Sequence, residues 1–240
     1  MVTSAQLRWK LRYLRPAKLR NAVERRAFER VVRSLPVHPD GPPCEHLGTD
    51  YAGWPVPLDL VGPDGIVYGV GAGNDVSWDL ELIRRCGCSV WTFDPTDASR
   101  ENVEPLTRSE PRLHFMQVAI WRSDGTVPMN IAENPAEPAV SAANLHGTGR
   151  SHVMPVRSIP SLMAEYGHDH IDVLKYDVEG AEYDLWDSVD LEAWGVRVFL
   201  IEVHKTGGAA GARRIHRDLE SRGYRLICRK NPTNLVFLRG

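Results

Sequence analysis

The sequence has no apolar run approaching the roughly 18 residues that a membrane-spanning helix needs, and no apolar stretch of the kind that opens a secretory leader. Its four cysteines, Cys44, Cys86, Cys88 and Cys228, make no CxxC pair and have no histidine at zinc-ligand spacing. That argues against a disulfide framework and a structural zinc site, and leaves reduced thiols in a cytoplasmic protein as the expectation. There is no GxxxxGK[ST] loop, so a triphosphate cradle is not expected. No internal repeat is present. What is there is a chain of 240 residues, 42% hydrophobic and 25% charged, enough for one globular domain with a full core and some additional length.

The net charge of -2 conceals an asymmetry. Residues 1–35 hold ten basic and two acidic side chains, a surplus of +8, and the remainder holds 19 basic and 29 acidic ones, a balance of -10. Leu7, Leu11 and Leu14, then Val23, Phe28, Val31 and Val32, recur at helical spacing. Residues 5–34 are therefore expected to form one or two helices, interrupted at Pro16. Such an arm packs on the domain or on a second copy with its basic face in water, or lies on an anionic lipid surface. Nucleic acid is not an expected partner, because the acidic domain behind the arm repels phosphates. Residues 35–64 carry seven prolines, a density that breaks regular structure, and are expected to wrap the domain. Within them Tyr51, Gly53 and Trp54 are read as packing in preference to a lid.

From Ile66 onward the pattern alternates. Strands are predicted at Ile66–Val70, Ser89–Phe93, Leu113–Ile120, Ile171–Tyr176, Val196–Val203, Tyr224–Arg229 and Leu235–Leu238. Helices are predicted at Val76–Arg85, Ser99–Thr107, Ile159–Tyr166, Ala181–Val189 and Ala210–Ser221. Strand followed by helix, repeated, means an α/β fold with a mostly parallel seven-stranded sheet covered on both faces. Trp121–Val127 reads as a hairpin around Asp124-Gly125. The last two strands are joined only by Lys230–Asn234, a link short enough to require antiparallel pairing.

In such a sheet, ligands bind beyond the carboxyl ends of the strands. The first strand ends in GVGAGND, where Gly69, Gly71 and Gly73 permit close backbone approach and the next helix offers free N–H groups. The second ends FDPT, placing Asp94 about 20 residues on, where a carboxylate accepts both hydroxyls of a ribose. Nicotinamide dinucleotide and S-adenosylmethionine then compete as cofactor. The turn departs from GxGxxG, and Asp75 would repel a pyrophosphate yet could accept hydrogen bonds from a ligand ammonium. The terminal antiparallel hairpin also favours a methyltransferase. The fourth strand, IDVLKYDVEGAEYDLW, gathers Lys175, Asp177, Glu179 and Glu182, which either face a bound ligand or cap and pair locally. The fifth ends IEVHK, where Glu202 and His204, two residues apart, share one side of the strand and with Asp177 make an acid/base pocket. A metal held by Asp177, Glu202 and His204 is conceivable, but none is expected. An (N/D)PPY strand end, frequent in nucleic-acid methyltransferases, is absent.

The segments IVYGVGAGNDVSWDLEL, VWTFDPT, IDVLKYDVEGAE and IEVH, in that order, make the chain from about Tyr51 to Gly240 resemble FkbM-type S-adenosylmethionine-dependent methyltransferases, in the branch that includes relatives of methyltransferase-like protein twenty-four. The resemblance implies a Rossmann-like class I fold, with an N-terminal helical arm and connector at 1–45 and a methyltransferase domain at 46–240. It implies methyl transfer to a hydroxyl oxygen of a sugar or small natural product. Gly69, Gly71, Gly73 and Asn74 would wrap the methionine half of the cofactor. Asp94, with Pro95 and Thr96, would hold the ribose, and Ala119 would flank the adenine. Asp177 would face the reacting centre, and either it or His204 would take the hydroxyl proton. Many methyltransferases carry an acid where Gly69 stands; Asp75 is the expected replacement. A nicotinamide oxidoreductase and a catalytically inactive cofactor-binding interaction module remain the alternatives.

Overall fold

The computed structural model describes residues 16–131, 140–141 and 151–240. Helix α1 (Pro16–Arg33) leads into a short antiparallel pair, β1 (Glu45–Leu47) and β2 (Trp54–Val56). The main alternation follows: β3 (Ile66–Val70), α2 (Ser77–Cys86), β4 (Ser89–Phe93), α3 (Asp97–Thr107) and β5 (Leu113–Met116). Then come β6 (Ala119–Ile120), β7 (Gly125–Ile131), β8 (Val140–Ser141), β9 (Ser151–Arg157) and α4 (Ile159–Tyr166). The chain continues with β10 (Val173–Tyr176), α5 (Glu182–Leu185), β11 (Val198–Glu202), α6 (Gly208–Ser221), β12 (Tyr224–Arg229) and β13 (Asn234–Arg239).

Seven strands form the principal sheet in the order β12-β13-β11-β10-β3-β4-β5. β11, β10, β3, β4 and β5 pair in parallel, while β13 runs antiparallel between β11 and β12. The strand order reverses beside β3, and the crevice at the carboxyl ends of β3 and β10 is where such a sheet accepts ligands. Strands buried on both faces read as continuous apolar runs. In β10, Val173 belongs to the core cluster that holds Trp78, Leu82 and Val103, and Leu174 and Tyr176 belong to the one that holds Leu162, Leu185 and Ile215.

The structure refines several boundaries. Leu113–Ile120 is not one strand: the chain turns at Gln117-Val118, with the Val118 N–H donating to Met116 O at 2.9 Å, and β6 leaves for a second sheet. That sheet, ordered β6-β9-β7-β8, also corrects the hairpin at Trp121–Val127. β6 and β7 do not pair with each other; both pair with β9, one parallel and one antiparallel. Asp124 accepts from Ser158 N–H (2.8 Å), the Ser161 hydroxyl (2.6 Å) and Arg157 Nε (2.9 Å), which fastens this connection to the start of α4. The helix expected at Ala181–Val189 is one α turn, α5, continued by a 3-10 turn at Trp186–Ser188. The sequence of Asn130–Arg150 reads as a loop that could shape the acceptor pocket, and most of it lies outside the described residues.

Pro16 stands in the first turn of α1, where its missing N–H costs nothing. Phe28, Val32 and Leu35 bury into the same core as the sheet, so the C-terminal part of this apolar face packs on the domain, while Val23 stands exposed. The C-terminal end of α1 is closed by Arg229, whose guanidinium donates to Val32 O (2.8 Å) in the last turn and to Leu35 O (2.6 Å) just past it. No helix among the described residues is long and apolar enough to cross a membrane.

Candidate active site

A cleft of about 520 Å³ opens at the carboxyl ends of β3, β4, β10 and β11. Gly71, Gly73, Asn74, Asp75, Asp94, Pro95, Thr96, Ala119, Lys175, Asp177, Glu179, Glu202 and His204 all line it. Of the residues that the sequence placed around a ligand, Gly69 and Glu182 do not line it.

One end of the cleft is made of backbone. Gly71 has φ +85°, and a Cβ there would lie 2.5 Å from Asp177 O, so the loops after β3 and β10 can touch only through glycine. Gly73, at φ +56°, has open space where a Cβ would go. Its N–H donates to Asp94 Oδ2 at 2.9 Å. Asp94 Oδ1 accepts from the Thr96 N–H (2.9 Å) and hydroxyl (2.6 Å), and Thr96 in turn caps α3. The buried Asp94 carboxylate thus joins two strand-end loops while lining the cleft.

Asp75 is also engaged within the chain. Its Oδ2 accepts from the Thr49 hydroxyl (2.7 Å) and its Oδ1 from Ser77 N–H (2.8 Å), tying the β1–β2 connection to the head of α2. Burial pushes its pKa up, but those hydrogen bonds and the charge of Lys230 outweigh it and hold it below the ordinary range. Lys230 also donates to Tyr51 O (3.0 Å) and Gly53 O (2.8 Å), fixing the hairpin over the cleft. Trp54 is buried there, as read from sequence, whereas Tyr51 stands at the rim, 78% exposed.

Gly69 sits within β3, opposite Thr92 on one side and Lys175 on the other. A Cβ on it would meet Asp79 Oδ1 at 3.0 Å and Thr92 Oγ1 at 3.3 Å. Its missing side chain leaves room for the carboxylate of Asp79, which comes from the first turn of α2 and lines the cleft, 5% exposed. Sequence reasoning passed over Asp79. The available signal was an acid beside the buried stripe of Trp78, Leu82 and Ile83.

The other end is acidic and titratable. Asp177 Oδ1 is buried without a hydrogen-bond partner. Glu179 occupies φ +49°, a left-handed conformation that costs a non-glycine residue of order 1 kcal/mol. His204 lies just past β11. Its Nδ1 is 2.7 Å from Oε1 of the fully buried Glu182, its Nε2 is 3.6 Å from Glu179 Oε2, and its carbonyl accepts from the Tyr183 hydroxyl at 2.6 Å. Glu182 also accepts from Gly180 N–H at 3.1 Å, so it both closes the turn and holds the imidazole. Its role toward His204 was not anticipated, because sequence spacing does not reveal a contact across 22 positions.

Crowding of charge sets the proton affinities here. Burial, then the Asp177 charge, pushes Glu179 up to about 7 and Glu202 up to about 8. Burial alone would depress His204, but its bond to Glu182 and the charges of Glu182, Asp177 and Glu202 raise it to about 10. The cluster therefore exchanges protons around neutrality with His204 as its cation. Asp177, Glu179 and His204 each also offer one ligand atom within 4.8 Å of the others, a set that could hold a divalent ion.

A doubly wound sheet with an antiparallel seventh strand, a glycine turn after β3, a buried acid after β4 and an acidic strand end at β10 defines a Rossmann-like methyltransferase. The chain belongs to the FkbM methyltransferase family: the Methyltransferase FkbM domain matches residues 68–226. It is similar to the probable methyltransferase-like protein 24 of Homo sapiens, 27% identical over 186 residues that cover 68% of this chain and 44% of that one. The Rattus norvegicus counterpart is 28% identical over 145 residues, covering 59% and 34%. The chain thus spans less than half the length of these relatives. Among solved structures it is similar to a chain of a fibrillarin/NOP5P complex, with TM-score 0.44, 8% identity and coverage of 74% of this chain and 72% of that one. It is also similar to the METTL16 methyltransferase domain, with TM-score 0.42, 12% identity and coverage of 72% and 58%.

Proposed function

We propose that the protein transfers a methyl group from S-adenosylmethionine to a hydroxyl oxygen on a sugar or small natural product. The observation that carries the cofactor is the charge lining the cleft. Six carboxylates, Asp75, Asp79, Asp94, Asp177, Glu179 and Glu202, face it, against Lys175 and His204. Negative charge in a low-dielectric cleft attracts a cation and repels a pyrophosphate, and a bound sulfonium favours the ionised form of the carboxylates that exchange protons near neutrality. That supports a sulfonium cofactor over a nicotinamide dinucleotide. The open space at Gly73 and the buried Asp94 suit the nucleoside, with Asp94 on the ribose hydroxyls and Ala119 beside the base.

S-adenosylmethionine supplies an electrophilic methyl group. The chain's own task is to align the acceptor and receive its proton, and alignment accounts for much of the acceleration in such reactions. Asp177 and Glu202, at the ends of the adjacent strands β10 and β11, are placed to take the hydroxyl proton. His204, held by Glu182 and facing Glu179, is the cation that keeps these carboxylates together.

Calorimetric titration with S-adenosylhomocysteine and with the oxidised and reduced nicotinamide dinucleotides tests the cofactor. We expect binding of the first alone; tight binding of a dinucleotide would overturn the reading. Methyl transfer to a panel of hydroxylated sugars then tests the acceptor.

A further inference from the structure

The amino-acid end of the cofactor has a reader that the glycine turn does not supply. Resting on the cofactor assigned above, we infer that Asp79 and Lys175 form a zwitterion-recognition pair, Asp79 binding the α-ammonium and Lys175 the α-carboxylate of the methionine moiety.

The argument starts from a substitution in space. A side chain at the position of Gly69 would run into Asp79 and Thr92, but here that position has none. The volume is taken by Asp79, whose Oδ1 lies 3.0 Å from the place a Cβ would occupy. A carboxylate thus fills that place from α2 while lining the cleft. Thr92, paired with Gly69 across β3 and β4, donates its hydroxyl to Asp79 Oδ1 at 2.6 Å and fixes the carboxylate there. Asp79 also stands in the first turn of α2, where the helix dipole favours negative charge.

Lys175 is paired with Gly69 from the opposite side, through β10. Its Nζ donates to Gly71 O at 2.6 Å and to Val70 O at 3.5 Å, two of the three donors an ammonium has. The indole of Trp54 lies with its ring centre 6.0 Å away. Both residues are buried, both line the cleft, and Gly69 lies between them. Yet no ion pair joins them within 4.0 Å among the described residues. Lys175, Gly69 and Thr92 are register partners across β10, β3 and β4, and Asp79 sits over the gap that Gly69 leaves in that row, so the ammonium and the carboxylate both border the cleft and an α-amino acid can meet one with each end. Burial pushes the Asp79 carboxyl up, against the pull of Lys175 and Thr92, and an ammonium bound beside it would favour the ionised form.

The test compares ligands that differ only at the amino-acid end. Calorimetry on the full chain would use S-adenosylhomocysteine, its deaminated and decarboxylated analogues, and 5′-methylthioadenosine, which lacks the amino-acid portion. Charge-assisted hydrogen bonds are worth about 1.5–3 kcal/mol each, so removal of the amine should weaken wild-type binding roughly 10- to 100-fold. In Asp79→Asn the homocysteine nucleoside should weaken by a similar factor while methylthioadenosine binds as to wild type. In Lys175→Met the preference for the carboxylate-bearing ligand over its decarboxylated analogue should disappear.

An unchanged preference for S-adenosylhomocysteine over methylthioadenosine in Asp79→Asn would overturn the assignment and leave the cofactor standing. If Asp79→Asn does not fold, equal wild-type affinity for the amine-bearing and deaminated ligands overturns it just as directly. Wild-type binding of neither nucleoside would remove the cofactor itself, and the pair with it.

Discussion

The two ends of the cleft are built on opposite plans. At the β3–β4 end the polar groups satisfy one another: Gly73 on Asp94, Asp94 on Thr96, Thr96 on Ser99. At the β10–β11 end they do not. Asp177 keeps a buried oxygen with no partner, Glu182 keeps another, and Glu179 holds a left-handed backbone conformation. Satisfied networks are rigid; unsatisfied buried charge is costly and persists where a function requires it. The difference separates holding from reacting: one end is shaped to receive a ligand unchanged, the other to change its protonation.

The sharpest way to test that division is Asp177→Asn. General-base catalysis contributes about 10²- to 10⁴-fold, so turnover should fall by that order while affinity for S-adenosylhomocysteine stays within a few-fold. Equal losses in binding and turnover would merge the two ends into one. On the holding side, Gly71→Ala should destabilise the fold by about 2–4 kcal/mol, since it combines a disfavoured φ with a backbone clash against Asp177. Gly73→Ala, with open space around it, should cost only about 1–2 kcal/mol. Urea unfolding measures both, and the ratio between them matters more than either value.

The reacting end should also show itself by pH. A carboxylate base works ionised, so turnover should rise with pH through about 7–8, where Glu179 and Glu202 lose protons. Stability should run the other way. Groups whose folded pKa is raised favour the folded state while protonated, and that contribution is lost as pH rises through the folded values. Melting temperature should therefore fall between neutral pH and about 10, where His204 finally titrates. In His204→Asn the upper part of that decline should flatten. The smallest effect expected is that of a chelator, which should leave turnover within about two-fold if carboxylates take the proton. Loss restored by added magnesium or manganese would reassign Asp177, Glu179 and His204 to an ion.

The sheet was legible in the sequence because its strands are buried on both faces and bounded by glycine and proline. Ile66–Val70, Ser89–Phe93 and Tyr224–Arg229 fall where apolar runs placed them. The second sheet was not legible, since β6 is two residues long and β9 alternates around a surface in which Val153 stands exposed. Among the charged residues that line the cleft, all but Asp79 follow from the rule that strand ends carry the site. What escaped is defined by contacts across the fold. Gly69 looked like part of the ligand turn, yet it clears space for Asp79, ten positions on. Glu182 looked like a helix cap and is also the anchor of His204.

Arg229 imposes an order of assembly. It closes the end of α1 from strand β12, across 197 and 194 positions of sequence, and His38 N–H is bonded to Leu226 O of the same strand at 2.8 Å. During synthesis the early helix emerges while its anchor is still untranslated, at roughly 5–20 residues per second. Phe28 and Val32 must therefore wait some ten seconds or more for the surface that buries them. In that interval a basic amphipathic helix is at large, open to whatever anionic or apolar surface it meets first.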